Sequence, residues 1–524
     1  MTITIDDGSK KITLDARHDE TIADAARRAG MFMPMPCGGR GRCGKCAVMT
    51  KGGFPAPLES EARLLERAPV WKDYATRIAC MCAASDGEVV IPSGGSRISV
   101  ADFAKNPQLY DGGEKNSFGV AADIGTTTVS TLLYSFQDGK IVSAAHEMNR
   151  QANFGADVLS RIDHSNRRGV GELTRSITSQ LNGMIHGMIA DAGVSARDVT
   201  RIVAAGNTTM LHFLTGLDPS GIGVAPFTPA SKFGVTTPAQ EILPGFERAS
   251  LYIPPSISAY VGADITCGIL STGMADGESA RMLIDIGTNG EMALRGGGRL
   301  LCCSTAAGPA FEGASISMGM PAVSGAISRV DAGDNVVCST IDNAPPAGIC
   351  GSGMISAIDM MLNEGALDGG GRILESGHKF ERLVSQAGQA GKEVAFFLGD
   401  SAVCLTQRDI RNIQLAKASI AAGMSVLINA LGISVDELET LFLSGGFGSA
   451  VDPAGAAGIG LIPSGVINRT IASGNTALSG ASLLLFSISL REKAESIASM
   501  AEEIPLSSNA EFMEEYVERM TFRD

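Results

Sequence analysis

Only six histidines are spread through 524 residues, and no two stand at a metal-ligand spacing, so histidine offers no metal site. No apolar run reaches the ~18–20 residues that a bilayer-spanning helix needs, and no membrane association is expected. Residues 1–16 alternate charged and β-branched side chains and lack the basic-then-apolar layout of an export signal, so the expected location is the cytoplasm. Positive charge is scarce too: 42 Lys and Arg stand against 56 Asp and Glu, a net charge of −14. Nucleic-acid binding needs clustered cations and is excluded as a function. A disulfide framework is not expected, because the 11 cysteines are an odd number in a long chain without an export signal. Walker-type and Rossmann nucleotide sites are missing as well: no strand feeds a G-x4-G-K-[ST] loop, and no G-x-G-x-x-G unit carries a trailing acid.

What remains is an ordinary globular composition, 44% hydrophobic and 19% charged, in a chain long enough for roughly two to four domains. Gly is abundant at 64 residues, which points to loops where backbone must approach closely. Strands are expected at Thr2–Ile5 and Lys11–Leu14, joined by a turn over 6–9. A helix from Thr21 to Ala29 opens on a Thr21/Asp24 capping box and is stopped by Gly30. After a cysteine-rich loop come a strand over Ala47–Thr50, a helix over Glu59–Arg67 and closing strands over Thr76–Cys82 and Glu88–Ile91. Hairpin, helix and mixed sheet in under a hundred residues describe an α+β β-grasp domain over residues 1–95. The Gly- and Pro-broken stretch 96–117 reads as a linker. From 118 to 524, apolar strands alternate with helices, an α/β pattern. Helices over Glu172–Ala192 and Asp409–Leu431 carry apolar stripes that face a core.

Five cysteines fall between positions 37 and 82. Cys37, Cys43 and Cys46 form C-x5-C-x2-C, with Cys80 or Cys82 following. Three thiolates from one tight loop and a fourth from elsewhere are what a [2Fe–2S] cluster requires. Gly38, Gly39, Gly41 and Gly44 clear the approach of backbone N–H groups to sulfur, and Arg40, Arg42 and Lys45 set positive charge beside an anionic centre. A zinc knuckle is the rival, but one tight pair with a Gly-laden spacer is poor zinc geometry. Gly39 to Cys46 also imitates a phosphate loop, yet it ends in Cys and no strand leads into it. The spacing is similar to that of adrenodoxin-type ferredoxins. Cys80 and Cys82 compete for the fourth position, and spacing does not choose between them. The remaining cysteines, 267, 302, 303, 338, 350 and 404, read as buried thiols.

A second constellation repeats. Val120–Ser130 reads VAADIGTTTVS and Leu283–Leu294 reads LIDIGTNGEMAL, with Asp285 standing 162 residues after Asp123. In each, Gly125 or Gly287 lets the backbone turn between two strands. Thr126, Thr127 and Thr128, or Thr288, Asn289 and Gly290, offer N–H and hydroxyl groups to phosphate oxygens. Asp123 and Asp285 at the strand ends suit Mg²⁺, held through water. A third piece, Ser444-Gly445-Gly446-Phe447-Gly448, is a strand entering a Gly-rich turn where a nucleoside can lie on bare backbone. The order resembles the phosphate-1, phosphate-2 and adenosine motifs of the actin, sugar-kinase and Hsp70 (ASKHA) superfamily. That likeness implies a two-lobed ATPase domain, with lobes of about 118–282 and 283–524, binding ATP and Mg²⁺.

A ferredoxin ahead of an actin-like ATPase resembles the reductive activators of corrinoid proteins. The likeness is carried by Gly206–Met210, Val261–Asp264, Ala306–Gly313, Gly348–Gly353, Gln407–Arg411 and Gln414–Lys417, and it runs nearly the whole chain. It implies ATP-dependent transfer of an electron to the inactive Co(II) corrinoid of a partner methyl-transfer protein, restoring Co(I), with a low-potential electron donor upstream. It implies Cys80, within Arg77-Ile-Ala-Cys80, as the fourth cluster ligand, and it carries homodimerisation as an expectation. Glu312 is a candidate near the γ-phosphate, alongside Asp123 and Asp285; its alternative reading is a cap to the following segment. The connector of about 25 residues is short beside relatives that insert a further domain. Rival functions are a 2-hydroxyacyl-CoA dehydratase-type activator, a small-molecule kinase and a nucleotide-sensing redox adaptor without turnover.

Overall fold

The computed structural model describes residues 2–6, 11–17, 19–29, 41, 46–65, 74–91, 116–155, 157–313, 315–320, 322, 324–387, 393–445 and 451–522. The chain divides into two compact units, 1–97 and 98–524.

In the first unit, Thr2–Asp6 (β1) and Lys11–Asp15 (β2) pair antiparallel. Period-2 alternation buries Ile3 and Ile5 on one face. β3 (Ala47–Gly52), β4 (Ala75–Ile78) and β5 (Gly87–Val90) complete a mixed sheet of order β2-β1-β5-β3-β4, in which β1 and β5 run parallel. The helix Ile22–Arg28 lays Ile22, Ala25 and Ala26 into the same core as Ile3, Ile5, Val48, Ile78 and Val89. Its capping box forms as expected: Thr21 Oγ1 accepts from Asp24 N–H, and Asp24 Oδ2 accepts from Thr21 N–H, both at 3.2 Å. This is the β-grasp ferredoxin arrangement.

One expectation fails here. The closing strand stops at Ile78 instead of reaching Cys82, because Met81 N–H and Cys82 N–H both turn back to Ile78 C=O, at 2.8 and 3.0 Å. The freed carbonyls of Ala79 and Cys82 accept from Ala23 N–H and Ile22 N–H at 3.0 and 2.9 Å, satisfying the first turn of the helix. Residues 7–9, Gly30, 66–67 and most of the 96–117 linker lie outside the described residues.

The second unit is built on two six-stranded sheets. The first holds β6 (Phe118–Ile124), β7 (Thr128–Ser135), β8 (Ile141–Met148), β9 (Val199–Gly206), β10 (Val235–Pro238) and β11 (Ser250–Ile253), in the order β10-β11-β9-β6-β7-β8. The second holds β12 (Arg281–Ile286), β13 (Gly290–Gly296) and β14 (Arg299–Thr305). Two small sheets follow in sequence: β15 (Ala326–Ala332), β16 (Val336–Thr340) and β17 (Gly348–Ile349), then β18 (Val384–Ala387), β19 (Glu393–Phe397) and β20 (Cys404–Thr406). β21 (Thr440–Ser444), β22 (Thr470–Gly474) and β23 (Ala501–Glu503) return to the second large sheet, giving β22-β21-β12-β13-β14-β23. The repeated sequence is a repeated fold. β11-β9-β6-β7-β8 and β22-β21-β12-β13-β14 share order and direction: two parallel neighbours on one side of the central strand, an antiparallel meander on the other.

The expected long helices are present. Gly171–Asp191 buries Leu173, Ile177, Leu181, Ile185 and Met188. Gln407–Leu431 starts two residues early because Thr406 caps it reciprocally with Asp409. That helix is long and apolar enough to cross a membrane by composition, but most of it is buried inside the fold.

Between the two large sheets lie the helices Ala263–Thr272 and Thr476–Phe486, sharing one core with Ala121 and Val203 of the first sheet and Leu283, Ala293 and Phe442 of the second. They cross at Gly480, where an added Cβ would lie 2.2 Å from the carbonyl oxygen of Cys267. Gly480→Ala is expected to lower unfolding free energy by roughly 1–3 kcal/mol through overpacking. Urea denaturation of the full chain measures it; an unchanged midpoint would show that the crossing relaxes freely.

Candidate cluster and nucleotide sites

The ferredoxin unit brings Cys46 and Cys80 together, their Sγ atoms 3.3 Å apart. β3 delivers Cys46, and the turn after β4 delivers Cys80; Ala79 N–H bonds Cys46 C=O at 2.9 Å and ties the two segments. Arg77 and Glu61 brace that turn from below with a bidentate pair at 2.8 and 2.7 Å, both side chains buried. Glu61 also accepts from Ile78 N–H at 2.9 Å. Breaking such a buried pair from one side costs about 3–5 kcal/mol, so the turn is rigidly set. Cys82 has a different environment. It is fully buried in the apolar core, its Sγ donates to Ala83 C=O at 3.6 Å, and burial pushes its thiol up to about 11. Gly41, the one described residue of the cysteine loop's glycines, lies against Met81 beside Cys80, with an added Cβ 2.7 Å from Met81 Sδ. Two adjacent thiols with backbone packed round them fit a thiolate-held cluster. Cys37 and Cys43 lie outside the described residues, as do Gly38, Gly39, Gly44 and the three flanking cations.

In the second unit the two Asp-Ile-Gly-Thr turns meet. Thr127 Oγ1 and Thr288 Oγ1 lie 3.1 Å apart, and both hydroxyls donate to Glu312 Oε2, at 2.8 and 2.6 Å. Glu312 therefore reaches the hairpins and is more than a cap. Gly125 N–H closes its turn on Thr128 C=O at 2.9 Å, and Gly287 N–H closes its own on Asn289 C=O at 3.0 Å. Asp123 and Asp285 end β6 and β12. Gly290 opens β13, and Gly445 sits at φ 110° with an added Cβ only 2.2 Å from Ile286 C=O, bare backbone against the second hairpin. Gly446, Phe447 and Gly448 lie outside the described residues.

The surrounding polar groups escaped the sequence reading. Asn475 Nδ2 donates to Asp123 Oδ2 at 2.7 Å, and Ser444 Oγ donates to Asp285 Oδ2 at 2.8 Å. Asn149 Nδ2 donates to Gly125 C=O at 2.8 Å, Arg161 Nη2 to Thr126 C=O at 2.7 Å, and Asn207 Nδ2 to Thr126 Oγ1 at 3.0 Å. Asp264, at the start of Ala263–Thr272, and Glu291, on β13, add two more acids. Burial raises Asp123 to about 7, against the Asn475 bond and with help from Asp285; burial raises Asp285 to about 6, with Glu312 adding repulsion. Asp264 and Glu291 are likewise pushed up by burial and by their carboxylate neighbours. Acids crowded at a turn that presents N–H and hydroxyl groups fit a divalent cation carrying polyphosphate. Asp264 and Asn207 lie in stretches singled out for likeness, but nothing in their spacing gave them a role.

Residues 4–85 match a 2Fe-2S iron-sulfur cluster binding domain, 118–277 match the RACo middle region, and 279–524 match the C-terminal domain of RACo, the ASKHA domain. A solved structure titled reductive activator for corrinoid, iron-sulfur protein superposes with TM-score 0.73 at 27% identity, covering 99% of this chain and 98% of that one. The chain belongs to the reductive activators of corrinoid proteins. Within this family, the corrinoid activation enzyme RamQ of Eubacterium limosum is 28% identical over 98% of both chains. The [Co(II) methylated amine-specific corrinoid protein] reductase of Methanosarcina barkeri is 26% identical over 69% of this chain and 68% of its own. The match to the family's middle region falls on the stretch that carries the first large sheet.

Two outcomes follow. Cys80→Ser is expected to abolish the [2Fe–2S] visible spectrum while Cys82→Ser retains it; the reverse pattern refutes the ligand choice. A carboxyl held above its ordinary value near 3.8 keeps its proton longer when folded, so the nucleotide-free protein loses stability as pH rises from about 4 through the folded value. Asp264→Asn removes that penalty. The variant's thermal midpoint should exceed wild type at pH 8 without nucleotide, with the gap closing toward pH 4; equal midpoints at both would contradict it.

Proposed function

We propose that this protein is an ATP-driven reductase of a partner corrinoid protein, passing one electron at a time from a [2Fe–2S] cluster to Co(II) and so restoring Co(I). The observation that carries this reading is the meeting of Thr127 and Thr288, 3.1 Å apart at the tips of two like-folded sheets, in a chain whose ferredoxin unit pairs Cys46 with Cys80. When bound, the cluster supplies one-electron chemistry, and MgATP supplies the free energy for an uphill transfer.

The chain's own groups have separable tasks. Cys37, Cys43, Cys46 and Cys80 hold the cluster, and the Glu61–Arg77 pair fixes the turn from which Cys80 projects. Asp123 and Asp285 would hold Mg²⁺, each carboxylate oriented by a hydrogen bond from Asn475 or Ser444. Thr126–Thr128 and Thr288–Gly290 would hold phosphate oxygens, and Gly445–Gly448 is the segment assigned to the nucleoside. Glu312, already between the two hydroxyls, orients the attacking water. Coupling requires only that the nucleotide states bind the partner with different affinity. The electron enters from a low-potential donor in the cytoplasm, where thiols stay reduced.

The test is direct. A purified corrinoid protein in the Co(II) state is mixed with this protein and a low-potential donor, and Co(I) is followed by visible absorbance. Reduction is expected only with ATP; equal rates without ATP refute the proposal. Asp285→Asn should slow the ATP-dependent rate roughly 10- to 100-fold, the size of effect typical of losing a group that orients a metal's ligands.

A further inference from the structure

Arg161 is among the largest fully buried side chains of the described residues, with no exposed surface. It stands on the helix Val158–Arg168, where the pattern Val-Leu-Ser-Arg-Ile-Asp reads as an ordinary amphipathic surface. Among the described residues, its guanidinium makes no hydrogen bond to a carboxylate. Nη2 donates to Thr126 C=O at 2.7 Å, Nε to Gly155 C=O at 2.9 Å, and Nη1 faces Met210 Sδ at 3.3 Å. Burial pulls its pKa down to about 10, with only Asp157 opposing. A buried cation held by carbonyls is costly, and an apolar side chain of similar volume would be the cheaper way to fill this space. Packing alone does not account for it.

The acceptor is the informative part. In a trans peptide, the C=O of one residue and the N–H of the next point in opposite directions. Three successive carbonyls of the first hairpin are tied back into the first lobe: Gly125 C=O to Asn149 Nδ2 at 2.8 Å, Thr126 C=O to Arg161, and Thr127 C=O to Asn149 N–H at 2.8 Å. The Thr126 and Thr127 N–H groups are thereby turned away from Asn149 and Arg161, in the hairpin whose Thr127 Oγ1 meets Thr288. Among the described residues neither N–H donates to a protein acceptor.

We propose that Arg161, assisted by Asn149, is a positioning residue for the nucleotide's polyphosphate: it anchors the Thr126 carbonyl so that consecutive backbone N–H groups of the first hairpin stay aimed at phosphate oxygens. This rests on the nucleotide reading above and deepens it. Arg161 touches neither phosphate nor metal. It acts through the backbone, and its charge lies on the buried side of the turn.

The full, cluster-loaded protein tests this by titration calorimetry with ATP, ADP and adenosine. Arg161→Met keeps the length and removes the donors, Arg161→Lys keeps one donor and the charge, and Asn149→Thr keeps a helix-capping oxygen but is too short to reach Gly125 C=O. For Arg161→Met, ATP and ADP affinities should fall roughly tenfold, as for one lost charge-assisted bond, while adenosine affinity changes less than twofold. Arg161→Lys should recover part of the loss, and Asn149→Thr should show a smaller, equally phosphate-selective one. Unchanged ATP affinity in the variants, or an equal fall for adenosine, overturns the inference. Should Arg161→Met fail to fold, the other two variants decide it on the same criterion. A wild-type protein that binds no ATP would instead sink the nucleotide reading itself.

Discussion

The ATPase unit depends on one close contact, the backbone of Gly480 laid across the carbonyl of Cys267. That contact lets the helix Thr476–Phe486 sit deep enough for its first residues to serve both sheets. Asn475 reaches Asp123 on the first, and Thr476 Oγ1 lies 2.6 Å from the Ser444 hydroxyl that holds Asp285 on the second. Two consecutive residues thus set the orientation of the two carboxylates that bracket the site. A side chain at the crossing would lift the helix and loosen both carboxylates at once, although it lies on neither hairpin.

The site is also where the fold is least comfortable. Asp123, Asp264, Asp285, Glu291 and Glu312 repel one another in a poorly solvated cleft, and four of them are held above their ordinary pKa by burial. In isolation this is a destabilising arrangement. On the function proposed above, a divalent cation and its polyphosphate would convert it into a favourable one, a common exchange of stability for function. The same cleft is tied shut by two hydroxyl bonds to Glu312 rather than by ion pairs.

Much of this was legible in the sequence. The doubled Asp-Ile-Gly-Thr hairpin, the Thr21 capping box and the apolar stripe of Gly171–Asp191 are local patterns, and local patterns survive folding. The misses share a cause: partners far apart in sequence. Arg161 binds a carbonyl 35 residues away, and Asn475 binds an aspartate 352 residues away. Neither residue differs in its neighbourhood from a solvated polar position. Residues two apart on a strand share a face, so alternation did not separate Cys80 from Cys82. The chain's turn out of the strand, where the helix Ile22–Arg28 claims the carbonyls of Ala79 and Cys82, gives them different surroundings.

That bend has a consequence for how the ferredoxin unit acquires its iron. Burial in hydrocarbon pushes the Cys82 thiol up to about 11, away from the thiolate that metal binding needs. On the proposed ligand set, the turn would offer Cys80, and not the buried Cys82, to an assembling cluster.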